Sequence, residues 1–257
     1  MKNYLKRTGF NRIRCEGKKG CSSTRITPEQ NNMCGRYALN CNAPQLAEEF
    51  DFFNLPVNLQ DDSTPQQGSY NIAPTTSAPV YYHNDQLKYM KWGLIPHWTR
   101  DLSKAQPYKT FNARMESLQT NGSKLWLHCR NSHRCVIPMR GFYEWLSARG
   151  TKQPYFIKRK DNKLMFVAGM YDVVRTKDQE VYSYTIVTGA APTNLKWLHE
   201  RMPVMLKPNS EEWKIWMDDK KHVWTDKELK TVLEPKYPEE LMEWYEVSKD
   251  VGKVSNN

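Results

Sequence analysis

The amino-acid sequence predicts an α+β domain with a mainly antiparallel, curved β-sheet core and short peripheral helices. Strand-like runs follow one another from Arg134 to Val187 with no helical stretch between them, which argues against a doubly wound parallel sheet. The helical patterns are short and flank that block. A chain of 257 residues with 39% hydrophobic and 12% aromatic content can bury a sizeable core, in one domain or at most two.

Residues 1–33 lack apolar periodicity and read as a disordered basic leader, a transit peptide or an upstream extension. From Pro44 to Phe53, Leu46, Phe50 and Phe53 recur at helical spacing, and a polar, turn-rich loop follows from Asp61 to Gly68. Tyr70-Asn71-Ile72-Ala73-Pro74 leads into a hairpin, with strands Ala78 to Tyr82 and Leu87 to Leu94 around Asn84-Asp85. Residues 115–127 predict a helix with Leu118, Leu125 and Trp126 facing the core and an interruption at Asn121-Gly122. The strand-like runs are Arg134 to Pro138, Gly141 to Leu146, Tyr155 to Lys158, Met165 to Tyr171 and Val181 to Val187. A short helix is expected from Asn194 to His199 and a strand from Pro203 to Leu206. Ser210-Glu211-Glu212-Trp213 and Thr225-Asp226-Lys227-Glu228 both look like helix starts, the second matching a capping box. Residues 251–257 are expected to fray, leaving 34–250 as the folded domain.

Net charge is +10, which favours a polyanionic partner. Residues 1–33 hold eight basic side chains against Glu16 and Glu29, so the remaining 224 residues carry only +4. That balance suits a local phosphate groove or an ordinary basic surface. The apolar runs, such as Met165 to Met170, are strand-sized and far short of the ~20 residues of a membrane span. The six cysteines, at 15, 21, 34, 41, 129 and 135, form no C-x-x-C pair and no secreted-type framework, and read as reduced and intracellular. Cys129 and Cys135 flank His133, but a zinc site there would lack a second well-spaced pair, so structural zinc is not expected.

Met33-Cys34-Gly35-Arg36-Tyr37 is the stretch with the most distinctive chemistry. If Met33 were the initiator and were clipped, or if the leader were removed, Cys34 would carry a thiol and a free α-amine on adjacent carbons. An α-amine titrates near about 7.7–8.0, so a useful fraction is a neutral nucleophile at neutral pH and condenses with an aldehyde to an imine. The thiol can then add to the imine carbon and close a thiazolidine. Otherwise Cys34 is an internal, unreactive cysteine.

Gly141-Phe142-Tyr143-Glu144-Trp145 places Glu144 on the same strand face as Phe142 and Leu146. On a buried face its pKa would rise toward the range of a proton shuttle; on a solvated face it is an ordinary surface acid. His199 lies at a helix-to-strand junction, where it can point into a cleft or serve as a hydrogen-bonded structural residue. Asn112 and Arg114 share a face if extended, the amide able to fix a nucleophile and the guanidinium to clamp a phosphate, unless both belong to a polar turn. Arg36 would add a second cation beside Cys34. Trp92, Trp98 and Pro74 offer flat faces for unpaired bases, although packing competes for tryptophans.

Taken in order, Met33 to Tyr37, Tyr70 to Pro74, Trp92 to Pro96, Phe111 to Glu116, Cys135 to Trp145, His199 to Pro203 and Trp244 to Ser248 resemble the SOS-response-associated peptidase (SRAP) family over about residues 33–250. The resemblance implies a protein that senses abasic sites in single-stranded DNA and joins its N-terminal cysteine to the ring-opened deoxyribose aldehyde. It implies Cys34 as nucleophile, Asn112 to orient it and the DNA, Glu144 to handle protons in imine formation and crosslink reversal, and His199 to assist ring opening. Arg36 and Arg114 would hold backbone phosphates, and no metal or organic cofactor is required. In the family the Met-Cys pair stands at the start, whereas here the Cys34 nitrogen lies in a peptide bond until initiation at Met33 or cleavage, including autoproteolysis, exposes it.

Two other readings stay open: a noncovalent reader of single-stranded or modified DNA, and a cysteine peptidase using Cys34, His199 and Glu144. The expected state is a monomer off the membrane, in the nucleus of a eukaryotic host or the cytoplasm of a bacterial one, with mitochondrial import through the basic leader as a further option.

Overall fold

The computed structural model describes residues 34–59, 68–119, 123–148 and 150–253. The expected leader, the loop up to Gln67 and the break at Asn121-Gly122 lie outside the described residues.

Strand β1 (Arg36–Leu39) runs into helix α1 (Ala43–Phe52), which Asn42 and Gln45 start with a reciprocal capping box. Strands β2 (Asn58–Leu59) and β3 (Ser69–Ile72) precede the hairpin of β4 (Ser77–Tyr82) and β5 (Gln86–Trp92). Asn84 and Asp85 both take positive φ, 54° and 58°, the backbone of a primed turn whose twist matches the two strands. After β6 (Asn112–Arg114) come α2 (Met115–Gln119) and α3 (Lys124–Ser132), in place of one interrupted helix.

The strand block then unfolds as β7 (Arg134–Met139), β8 (Gly141–Ala148), β9 (Thr151–Arg159), β10 (Met165–Arg175) and β11 (Glu180–Ala190). The helix expected at Asn194 to His199 is a single 3-10 turn, Thr193–Leu195. The strand expected from Pro203 lies earlier, as β12 (Arg201–Pro203), because its ladder partner is the end of β11 at Thr188–Ala190. Met205 keeps only an isolated bridge to Val167. Helices α4 (Glu211–Met217) and α5 (Asp226–Val232) begin at the serine and threonine caps that the sequence marks, and β13 (Met242–Glu246) follows.

The strands form two sheets. One is wholly antiparallel, in the order β13-β9-β8-β1-β3. The other runs β12-β11-β10-β7-β4-β5-β2 and curls until β5 meets β11 in parallel, at Ser183 with Lys91 and Tyr184 with Trp92. Strands β11, β10, β7, β4 and β5 thereby form a partially closed barrel, and β6 continues along β11 where β5 leaves it. Strand β10 is buried along nearly its whole length, which explains why its sequence reads as an apolar run and not an alternation. Among the described residues no helix is long and apolar enough to cross a membrane.

The seam where β5 meets β11 is packed with aromatic rings. Trp92 stacks on Tyr184 at 6.2 Å and 9°, and Tyr37 of β1 meets Trp92 edge-on at 5.2 Å. The buried Tyr37 and Tyr184 hydroxyls share a 2.6 Å hydrogen bond, so both polar tips are satisfied inside the core. Just past Trp92, Gly93 takes φ of 113°, and a Cβ there would lie 2.5 Å from the Pro107 Cβ and 2.6 Å from its carbonyl oxygen. Gly93→Ala is therefore expected to destabilise the protein by about 1–3 kcal/mol through strain at positive φ, with further cost from displacing Pro107. Urea unfolding followed by tryptophan fluorescence measures it; unchanged stability would contradict this account.

Candidate active site around Cys34

Strand β1 lies one in from the edge of the five-stranded sheet, held by β8 on one side and by the edge strand β3 on the other. Its register with β8 pairs Arg36 with Tyr143 and Tyr37 with Phe142, so the chain two residues upstream comes alongside Glu144 and Trp145. There the Cys34 main-chain nitrogen donates to Glu144 Oε2 at 3.0 Å. The other carboxyl oxygen accepts the Trp145 N–H at 3.2 Å. Both Cys34 and Glu144 are completely buried.

Burial disfavours the carboxylate and raises the Glu144 pKa to about 8, against the pull of the two N–H donors. A carboxyl poised there can both give and take a proton near neutral pH. Burial, and next the Glu144 charge, push the Cys34 thiol well above its ordinary value, while the Arg36 backbone N–H pulls the other way. The sulfur is therefore held as the thiol, and any nucleophilic use of it needs a base.

Asn112 stands on β6, whose parallel pairing with β11 sets it opposite Ile186, and its Nδ2 donates to the Cys34 carbonyl at 3.3 Å. The fold thus brings Cys34, Glu144 and Asn112 together from three separate stretches of sequence. His199 is half-buried, and its ring bonds to the backbone of Arg201 at the start of β12. The Arg201 N–H, which can only donate, reaches Nδ1 at 3.1 Å, so the neutral ring carries its proton on Nε2. Burial lowers its pKa and favours that neutral form.

The residues expected to face DNA divide. Arg114 is exposed, Trp98 is 51% exposed and Pro74 is partly buried. Trp92 is fully buried, with Nε1 donating to the Phe111 carbonyl at 2.8 Å, so it belongs to the aromatic core and presents no face to a base. Arg36 is half-buried and spends three of its N–H donors at home, on Asn71 Oδ1 at 3.1 Å and on the carbonyls of Val251 and Gly252 at 3.0 and 3.2 Å. The buried Asn71 amide also donates to the Val251 and Lys253 carbonyls. Residues 251–253, expected to fray, are thus fastened beside β1, and 254–257 lie outside the described residues.

Two features of the site were not visible in the sequence reading. The Tyr37–Tyr184 pair lies close enough to Cys34 for their charges to couple, and Tyr237, buried with its hydroxyl on the Pro203 carbonyl at 2.6 Å, couples to both Cys34 and Glu144. No motif flagged Tyr184 or Tyr237, because a tyrosine in a strand or loop is ordinary until the fold places it.

A buried cysteine whose nitrogen rests on a buried, proton-poised carboxyl, beside a partially closed α+β barrel, defines a cysteine–carboxyl site. The profile of the SOS response associated peptidase (SRAP) family matches residues 33–254, and the chain belongs to that family. An abasic site processing protein of Saccharomyces cerevisiae is 41% identical over 246 residues, covering 87% of this chain and 66% of that protein. The abasic site processing protein YoqW of Bacillus subtilis is 34% identical, covering 88% of this chain and 96% of its own length. The chain thus spans just under two thirds of the yeast relative and nearly all of the Bacillus one. A crystal structure of a protein from Bacteroides thetaiotaomicron shares the fold at a TM-score of 0.68 and 23% identity, over 84% of this chain and 93% of that one.

The buried carboxyl has a pH signature. Glu144 in the folded chain holds a proton that an unfolded glutamate, titrating near 4.5, has lost, so its contribution to stability is full below about 4.5 and disappears as pH rises through about 8. The stability difference between wild type and Glu144→Gln should therefore shift in favour of the variant across that window. Thermal melts of both proteins at several pH values check this; parallel curves would mean that Glu144 is ionised in the fold.

Proposed function

We propose that this chain processes abasic sites in DNA by covalent capture, with Cys34 as the reacting residue. The observation that carries the reading is the 3.0 Å contact between the Cys34 nitrogen and Glu144. A cysteine used only for its thiol has no need of a proton carrier at its nitrogen. A cysteine that must form and break a bond at nitrogen does.

The chemistry follows from the two atoms. A ring-opened abasic site presents an aldehyde at C1′. The freed Cys34 amine adds to that carbon to give a carbinolamine, and loss of one water, with Glu144 supplying the proton to the departing oxygen, leaves the imine. The Cys34 thiol then adds to the same carbon, its proton passing to the nitrogen, and the five-membered thiazolidine closes. Reversal needs the same carboxyl to return protons in the opposite order. The raised thiol pKa suits this order, because the amine and not the sulfur is the first nucleophile. With a free ammonium at 3.0 Å, Glu144 would be drawn back toward ionisation, which makes it the acceptor of the proton the amine must lose before it attacks.

The same carboxyl is suited to protonate the Cys34 nitrogen as water hydrolyses the Met33–Cys34 bond, the hydroxyl going to the Met33 carbonyl carbon, which would release the preceding residues and free the amine. Asn112 holds the Cys34 carbonyl and so sets the orientation of the residue. Exposed Arg114 offers its guanidinium to backbone phosphate, and Trp98 and Pro74 offer flat surfaces to unpaired bases, which suits single-stranded DNA. His199, with Nε2 as its free nitrogen, is suited to assist ring opening. One lesion needs one cysteine, so the unit of function is a monomer. The work is placed wherever the host keeps its DNA: nucleus, bacterial cytoplasm or, through the basic leader, the mitochondrion.

The test is a denaturing gel of a chain beginning at Cys34, mixed with labelled single-stranded DNA carrying one abasic site. A heat-stable shifted band is expected. It should be lost in Cys34→Ser and form about 10²-fold more slowly in Glu144→Gln, the loss typical of a general acid–base group. A complex seen only under native conditions, weakening steeply with salt, would replace this reading with a noncovalent DNA reader. Cleavage of added peptides by the unprocessed chain would favour a peptidase.

A further inference from the structure

Away from Cys34, the fold gathers imidazoles around one buried acid. Asp172 is the one acid on β10, whose sequence is MFVAGMYDVVR, and its side chain is 2% exposed. Its Oδ2 accepts the His97 N–H at 2.8 Å and lies 3.0 Å from His97 Nδ1. Its Oδ1 accepts the Val173 N–H at 2.9 Å and lies 3.8 Å from His128 Nε2. His97 comes from the connection between β5 and β6, and His128 from α3. Their rings are 4.3 Å apart, and the His133 ring lies behind His128 at 4.6 Å, tilted by 34°, its buried Nδ1 without a hydrogen-bond partner among the described residues.

Among the described residues, no lysine or arginine pairs with Asp172. Its side-chain partners among those residues are the His97 and His128 rings, so one buried carboxyl and two imidazoles from three separate elements converge on one point. Ligand atoms of His97, His128 and Asp172 all lie within 4.8 Å of one another. A tetrahedral ion with bonds of about 2.0–2.2 Å needs its ligands about 3.3 Å apart, so closure asks for an approach of up to about 1.5 Å between ligand atoms. The imidazole side chains can supply it, being 42% and 35% exposed, while the carboxylate stays anchored by Val173.

We propose that His97, His128 and Asp172 form a binding site for one divalent transition ion of the zinc class. Two imidazoles and a carboxylate are the donor set that favours such an ion over magnesium or calcium. Three protein ligands with an open, solvent-facing side leave the fourth position to water. The ion would tie the loop bearing exposed Trp98 to the barrel wall. The site is independent of Cys34 chemistry, and the expectation of no structural zinc, which rested on cysteine spacing, does not address it. A His/His/Asp set spread over positions 97, 128 and 172 has no spacing a motif could register.

The experiment uses the full chain carrying Cys34→Ser, stripped of metal with a chelator and titrated with Zn²⁺ by calorimetry and with Co²⁺ by visible absorption. The result expected is saturable binding of one Zn²⁺ per chain, weakened at least tenfold by His97→Ala and by His128→Ala, with a cobalt spectrum of nitrogen and oxygen ligation. Both variants change solvent-accessible rings and leave the buried Asp172 in place, so folding is preserved, and matching melts of the metal-free proteins check that. Absence of binding, binding unchanged by both histidine variants, or a thiolate-to-cobalt charge-transfer band would each overturn the proposal.

Discussion

The hydrogen bond from the Cys34 nitrogen to Glu144 is the contact around which the rest of the structure is arranged. It exists because β1 is wedged between β3 and β8 in one register, and a slip of one residue would turn Glu144 to the opposite face of the sheet. The register is held by burial: Tyr37, Ala38 and Leu39 are all sequestered, and Tyr37 is locked into the aromatic stack with Trp92 and Tyr184. Packing of the core and placement of Cys34 against Glu144 are thus one problem with one solution.

The same burial sets the protonation chemistry. Water is excluded from both Cys34 and Glu144, so the neutral acid and the neutral thiol are the stable forms. A site of this kind has little reactivity toward bystanders at its sulfur, yet keeps a proton donor within hydrogen-bond reach of its nitrogen.

Around this rigid centre the outer residues are arranged differently. Arg36, two residues from the cysteine, is committed to Asn71 and to the carbonyls of the C-terminal segment, and so serves to fasten the chain end beside β1. Arg114 and Trp98 remain exposed, on a strand end and a connection, where binding residues on a rigid scaffold are commonly found. The histidine cluster at Asp172 belongs to this outer layer by its rings and to the barrel by its carboxylate.

The sequence by itself determined the fold class, the hairpin at Asn84-Asp85, the capped starts of α4 and α5, and the central strands, because each of these is written in local periodicity, turn chemistry or side-chain caps. It also singled out Cys34, Asn112 and Glu144 one by one, since an acid in an apolar strand and a late Met-Cys pair are visible without a structure. The pairings between them were not: β1 and β6 are too short to show a period, and the β5–β11 closure joins residues about ninety positions apart. Only the tertiary structure decided that Trp92 is core, that Arg36 holds the chain end, and that Tyr184 and Tyr237 lie beside the site. The physical reason is that burial and long-range register are properties of the packed chain, and a side chain's pKa and role follow from them more than from its neighbours in sequence.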